Sequence, residues 1–328
     1  MNLEPDRFGY HAKGPSQIPI RGWFHIFKRV YIQLDADHLQ VVAAGVAFYF
    51  FLSLFPLLGA SISIYGLMVD PNQVFSDVER LEGFMPQDIV TMLTDFLRTL
   101  ASQSQSNLSY SLVASVLLSL WSVRKGVVAL FAGINIAYNE HDTRSFIIKY
   151  LLTYGYTILA FFFGILMLGS IVVYPLLVDL LPLPQFVLDL LQWGRWLVLA
   201  GLIMVALAFT YKWAPHRRNP QLRWVSIGSA IATGLWLLGS YGFSYYIEHF
   251  SSYNQTYGSF AAVIITLLWL LLTAYVILLG AEINSEMEHQ TSEDTTVGPD
   301  RPMGERNAVF ADQVAGHPNR ASKPSKKT

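Results

Sequence analysis

The chain contains no cysteine. That excludes disulfides, thiolate metal sites and cysteine nucleophiles, and says little about compartment. Charge is also scarce: 14% of the 328 residues are Asp, Glu, Lys or Arg, against about 25% in soluble domains. A net charge of −1 argues against a general nucleic-acid binder, so no nucleic-acid partner is expected. The sequence has no GxxxxGK[ST] phosphate loop, no nucleophile elbow and no paired-histidine zinc spacing, so no cofactor or metal site is expected. A signal-peptide pattern is missing too, and the first apolar run is too long for a signal core, so it is expected to stay attached.

What the chain has is apolar length. Hydrophobic residues make up 53% of it, gathered into six runs at 41–69, 108–123, 147–181, 186–213, 222–250 and 257–279. A hydrocarbon core about 30 Å thick takes roughly 20 helical residues. All but the second run exceed that. Lipid offers no partner to a bare backbone, so such runs must be helices. The expected fold is all-α: a polytopic membrane protein with an arm at 1–40, a transmembrane domain at 41–288 and a disordered cytoplasmic tail at 289–328.

Positive charge alternates between connections. Of the 22 Lys and Arg, all except Arg80, Arg98 and Arg195 fall in the N-terminal arm, the second and fourth connections, or the tail. Retention of positive charge in the cytoplasm then places both termini there, with 70–107, 182–185 and 251–256 outside. In the arm, Trp23, Ile26, Phe27, Val30, Tyr31 and Leu34 recur at helical spacing, with His25, Lys28, Arg29 and Gln33 on the other face. This predicts an interfacial amphipathic helix, rings inward and cations toward anionic lipid headgroups, anchoring the first span. The acidic segment 70–107 reads as two short outer helices broken near Met85-Pro86. Trp193, Trp196, Trp213, Trp224, Tyr245 and Tyr246 read as interface belts, and Asp189 and Arg195 as outer-interface residues.

Two irregularities draw the functional reading. Pro56 lies inside the first run and predicts a kink, read as a hinge or as static packing. In the second, Arg124-Lys125 follows only about fourteen apolar or small residues, a length judged against the roughly 20 needed, and a further apolar run, 126–138, comes after it. Carrying two cations into lipid costs from about 3 to over 10 kcal/mol. The expectation is therefore a short span ending at Arg124-Lys125, then an interfacial or re-entrant helix. Arg124, Asn135, Tyr138, Asn139, Glu140, Arg144, Glu282 and Asn284 all map to the cytoplasmic end as a polar cluster. Arg124 or Arg144 is placed to pair with Glu282, and a phosphate headgroup to compete for the same guanidinium. The plainer alternative is that these side chains cap helix ends and pin loops.

Three segments carry a resemblance. They are Ala43-Ala44-Gly45-Val46-Ala47-Phe48-Tyr49-Phe50-Phe51-Leu52-Ser53-Leu54-Phe55-Pro56, the stretch from Trp121 to Arg144 with Asn135, Tyr138 and Asn139, and the stretch from Tyr257-Gly258-Ser259 to Gly280-Ala281-Glu282-Ile283-Asn284. In this order and spacing they resemble the YihY/BrkB family of bacterial inner-membrane proteins over roughly residues 20–288. The resemblance implies six transmembrane helices, cytoplasmic termini, and a link to phospholipid or lipopolysaccharide traffic in the envelope. The family has also carried the label ribonuclease BN. The eight histidines are scattered along the chain with no His-x-His-x-Asp-His grouping, so ribonuclease activity is not expected. The expected function is a transporter or lipid-handling protein. The alternative is a non-transporting scaffold that receives an envelope lipid-transfer protein at 70–107. No span carries a catalytic dyad, so an enzyme is not expected.

Overall fold

The computed structural model describes residues 7–68, 105–179, 184–249 and 259–315. Among these, seven helices carry the fold: α1 (Ile20–Ala36), α2 (Leu39–Met68), α3 (Gln105–Ala137), α4 (Phe146–Asp179), α5 (Gln185–Trp213), α6 (Leu222–His249) and α7 (Ser259–Glu288). Short 3₁₀ turns stand at Pro15–Gln17 and Phe310–Asp312. Six of the helices, α2 to α7, are long and apolar enough to cross a membrane. The apolar runs near 41, 147, 186 and 222 begin within two residues of α2, α4, α5 and α6. Such runs must satisfy their peptide groups internally, and only helix does so over this length. Of the predicted outer segment 70–107, residues 70–104 lie outside the described residues and 105–107 open α3 instead; the side chains of Asp189 and Arg195 also lie outside the described residues.

The chain divides into two compact units. The smaller, Phe48–Gly126, contains Pro56 within a helix assigned without interruption from Leu39 to Met68. It also holds Arg124 and Lys125, and here the expectation fails. α3 runs unbroken from Gln105 to Ala137, so there is no short span ending at Arg124-Lys125 and no separate re-entrant or interfacial piece at 126–138. Arg124 is 7% exposed, shielded by protein rather than set in lipid. Lys125 holds its ammonium 5.5 Å from the Trp121 ring, a cation–π contact that lowers the cost of keeping it on the helix.

In the larger unit, α6 packs against both α5 and α7, and α1 lies along α7. The α6–α7 crossing depends on two glycines. A Cβ on Gly280 would sit 2.8 Å from Ala232 Cβ and 3.0 Å from the Gly228 carbonyl, and one on Gly228 would collide with Asn284. Small residues let the backbones meet, which is how helices associate where lipid removes the hydrophobic drive. Trp236 Nε1 donates to Thr273 Oγ1 at 3.0 Å across the same interface. Gly280→Ala is expected to lower stability by about 1–3 kcal/mol through overpacking, read as a lower melting temperature in detergent. An unchanged melting temperature would mean that the crossing yields freely.

Two further expectations are corrected here. Trp224 is no interface anchor: it is buried in a core with Ile26, Val30, Ile283 and Met287. The tail is not disordered over 289–315. Arg306 lies buried among four backbone carbonyls, and the Phe310 ring stacks on His289 at 4.6 Å. Gln290 Nε2 donates to Phe8 O (2.9 Å) and Thr291 Oγ1 to Ala12 O (2.8 Å), tying the tail to the N-terminal arm. Polar composition misled because this segment is held largely by hydrogen bonds, within itself and to the N-terminal arm, around a few buried apolar side chains such as Phe310 and Val314.

Candidate functional site

At one end of the larger unit, the connections 138–145 and 214–221, the tail and the N-terminal arm form a polar cap. α3 stops by a Schellman motif: Glu140 N bonds Asn135 O and Asn139 N bonds Ile136 O, both at 2.8 Å, with Asn139 at φ +53°. Asparagine tolerates this left-handed conformation. Asn135 joins the end of α3 to the connection 214–221, donating to Phe131 O (2.8 Å) while its Oδ1 accepts the His216 amide (2.8 Å). Arg144 donates to the carbonyls of Ala214 (3.2 Å) and Pro215 (2.9 Å), just past the C-terminus of α5, where a cation meets the negative end of the helix dipole. Thus Asn135, Asn139 and Arg144 cap and pin.

Arg144 is thereby committed, and it does not pair with Glu282. The Glu282 side chain is wholly buried, and neither carboxylate oxygen accepts a hydrogen bond from any described residue. The expected Arg144–Glu282 ion pair is absent. The acids that act on Glu282 are Glu286 and Asp37. Glu286 is taken by an ion pair with Arg29, which also donates to Gln290 Oε1 (2.9 Å) and Glu286 O (2.9 Å). Burial, with Glu286 second, raises the Asp37 carboxyl above its ordinary range.

The centre of the cap is a pair that the sequence reading missed. Arg217 and Glu288 are both fully buried and meet at 2.5 Å, with Thr295 Oγ1 donating to the same Glu288 oxygen at 2.8 Å. The Arg217 guanidinium lies 5.0 Å from the Tyr138 ring centre. Among the described residues, Arg217 Nη1, Glu288 Oε1 and Tyr138 Oη have no hydrogen-bond partner of good geometry. Tyr138 Oη is turned toward the Asn284 amide without a hydrogen bond of good geometry. Asn284 itself accepts from Gly228 N at 2.9 Å and donates to Val225 O at 3.3 Å. Glu140 Oε1 accepts the Val309 amide at 2.7 Å, so the tail closes over this group.

The electrostatics follow from enclosure. Burial, reinforced by Glu288, pushes the Tyr138 hydroxyl well above its usual range against the opposing pull of Arg217. Burial works against the Arg217 cation, but the adjacent Glu288 more than offsets it, and the pKa rises. Burial also raises Glu140, although the Val309 amide opposes it. Asp294 is lowered: burial is outweighed by the Thr296 hydroxyl and amide and the Arg301 amide. Among the described residues, no three His, Asp or Glu side chains gather as metal ligands. Of the sequence-derived cluster, Asn135, Tyr138, Asn139, Glu140, Arg144 and Asn284 serve this cap; Arg124 belongs to the other unit.

Six apolar spanning helices and a polar cap define a multi-pass helical membrane protein. The chain belongs to the BrkB family: the family described as Virulence factor BrkB matches residues 30–304, in agreement with the three motifs. A ribonuclease-like protein, YfkH, of Bacillus subtilis is 30% identical over 264 residues, covering 79% of this chain and 93% of the relative. A UPF0761 membrane protein of Cronobacter sakazakii is 26% identical over 276 residues, covering 81% and 88%. One from Vibrio parahaemolyticus is 27% identical over 281 residues, covering 80% and 82%. No solved structure matches the chain.

Proposed function

We propose that this is a transporter or lipid-handling protein of the bacterial inner membrane, with both termini in the cytoplasm and a site for a polar substrate group beneath the cap. The observation that carries the reading is the trio of unpartnered polar atoms on Tyr138, Arg217 and Glu288. Each buried orphan costs about 1–3 kcal/mol, and a cap evolved only for stability would pair them. A headgroup or its hydration water offers both donors and acceptors and satisfies all three. The orientation rests on the positive charge of the arm, the second and fourth connections and the tail. The ribonuclease-like name of the Bacillus relative is not carried over, because no nucleotide or metal chemistry is proposed for these residues.

The test is movement of fluorescent phospholipid and of labelled lipid A across liposomes holding the full-length protein, with and without a proton gradient. Tyr138→Phe removes a hydroxyl that faces the Asn284 amide without a hydrogen bond of good geometry, so its melting temperature is expected to stay close to wild type. Translocation is expected to fall about tenfold, the equivalent of one hydrogen bond of about 1.4 kcal/mol. Absence of any protein-dependent movement would overturn the reading, and full activity of Tyr138→Phe would remove this site from it.

A further inference from the structure

α1 presents two apolar faces. Gly22, Ile26 and Val30 are buried in the core with Ile283 and Met287 of α7 and with Trp224. The expectation of one stripe holding Ile26, Phe27, Val30 and Tyr31 together therefore fails. A second stripe, Ile20, Phe24, Phe27 and Tyr31 at spacings of four, three and four, faces outward, with Ile20 88% and Tyr31 78% exposed. Phe24 and Phe27 are exposed too, and α2, a membrane-spanning helix, begins at Leu39, three residues after α1 ends. Arg21 and Lys28 lie about 90° around the helix from this stripe, since each residue turns about 100°.

At the start of the stripe is a hollow of about 490 Å³ lined by Arg7, Pro19, Ile20 and Arg21. Arg7 and Arg21 both line it, and neither makes an ion pair among the described residues, whereas Arg29, on the buried side, is taken by Glu286. Two free guanidiniums beside an apolar floor match a phosphate group with an acyl chain attached.

We infer that the Arg7–Arg21 hollow binds the phosphate of an anionic phospholipid, whose acyl chains lie along Ile20, Phe24, Phe27 and Tyr31. Guanidinium recognises phosphate oxygens by charge-assisted, often bidentate hydrogen bonds. The exposed stripe supplies the apolar contact that a soluble anion would not use. Continuity with α2 sets the stripe at the lipid boundary, and the charge of the hollow selects an anionic headgroup over a zwitterionic one. The site is separate from the Tyr138–Arg217–Glu288 group beneath the cap and does not depend on transport.

The experiment is native mass spectrometry of the full-length protein in detergent, titrated with short-chain phosphatidylglycerol, short-chain phosphatidylcholine or inorganic phosphate. Phosphatidylglycerol is expected to be retained most strongly. Arg7→Gln and Arg21→Gln are each expected to weaken it about fivefold, without changing the lipid-free melting temperature. Phe24→Ser, which leaves both arginines, is expected to weaken phosphatidylglycerol and leave phosphate unchanged. Equal retention of phosphatidylcholine, or retention unaffected by either arginine change, would overturn the proposal. Phosphate bound as tightly as phosphatidylglycerol would also overturn it, in favour of a soluble-anion site. If a variant misfolds, the wild-type protein still decides the matter, because 0.5 M salt must release phosphatidylglycerol.

Discussion

Arg217→Met is expected to destabilise the folded protein by about 3–5 kcal/mol, the loss that follows when one member of a buried ion pair is removed. Arg217 and Glu288 are both fully enclosed at 2.5 Å. Without the guanidinium, Glu288 retains one hydrogen bond from Thr295 and no counter-charge, and water cannot reach it without opening the tail. Against a typical folding free energy of about 5–15 kcal/mol, that loss should appear as aggregation during detergent extraction or as a large fall in melting temperature. Arg217→Lys should recover little. An ammonium keeps the charge, but it loses the bond from Nε to the Arg218 carbonyl (3.2 Å) and the flat contact with the Tyr138 ring. The double change Arg217→Met with Glu288→Leu should be much milder than Arg217→Met alone, because no uncompensated charge remains. A double variant as damaging as both single variants summed would show that charge burial is not what holds the pair together.

This pair also shows why the cap was only partly legible. Apolar runs of twenty or more residues report helices directly, and α2, α4, α5 and α6 begin where hydropathy rises. Asn135, Tyr138, Asn139, Glu140 and Asn284 could be placed at one end because short connections leave helix ends nowhere else to go. Arg217 looked like one more charge in a short basic connection, of the kind that usually sits in water. Only the tail covering it makes it a core residue, and that tail had the composition of a disordered segment. A usable signal was present in Glu282, Glu286 and Glu288, three acids within two turns at the end of an otherwise apolar helix. Acids so placed need partners, and the nearest cations in the sequence belong to connections that the topology puts at the same end. Arg124 failed for the opposite reason: it was judged as though lipid surrounded it, and protein does.

Arg306→Ala is expected to open the tail while leaving the helices intact. The Arg306 guanidinium donates to four carbonyls: Arg301 (3.0 Å), Glu293 (3.1 Å), Ala311 (2.6 Å) and Ser292 (2.8 Å). It is one centre about which residues 292–312 fold, beside the Asp312 and Asp294 carboxylates, which accept the Gly304, Arg306 and Arg301 amides. Hydrogen bonds to a charged donor contribute about 1.5–3 kcal/mol each. Part of that is lost entropy in ordering the segment, so a net weakening of about 3 kcal/mol is expected, roughly a hundredfold more opening. Limited proteolysis within 292–312 should quicken by that factor, with the melting temperature of the spanning helices little changed. Lysine should not rescue, because a single ammonium cannot reach four carbonyls arranged around a planar fork. The tail also reaches the cap: Val309 N bonds Glu140 (2.7 Å) and Arg218 N bonds Asn307 O (2.9 Å). Hydrogen exchange at those two amides should therefore rise together with the cleavage rate. Faster cleavage without faster exchange at Arg218 would mean that the tail opens at its end while the cover over Arg217 and Glu288 stays shut. In that case the proposed substrate group would have to reach the buried pair from the membrane side.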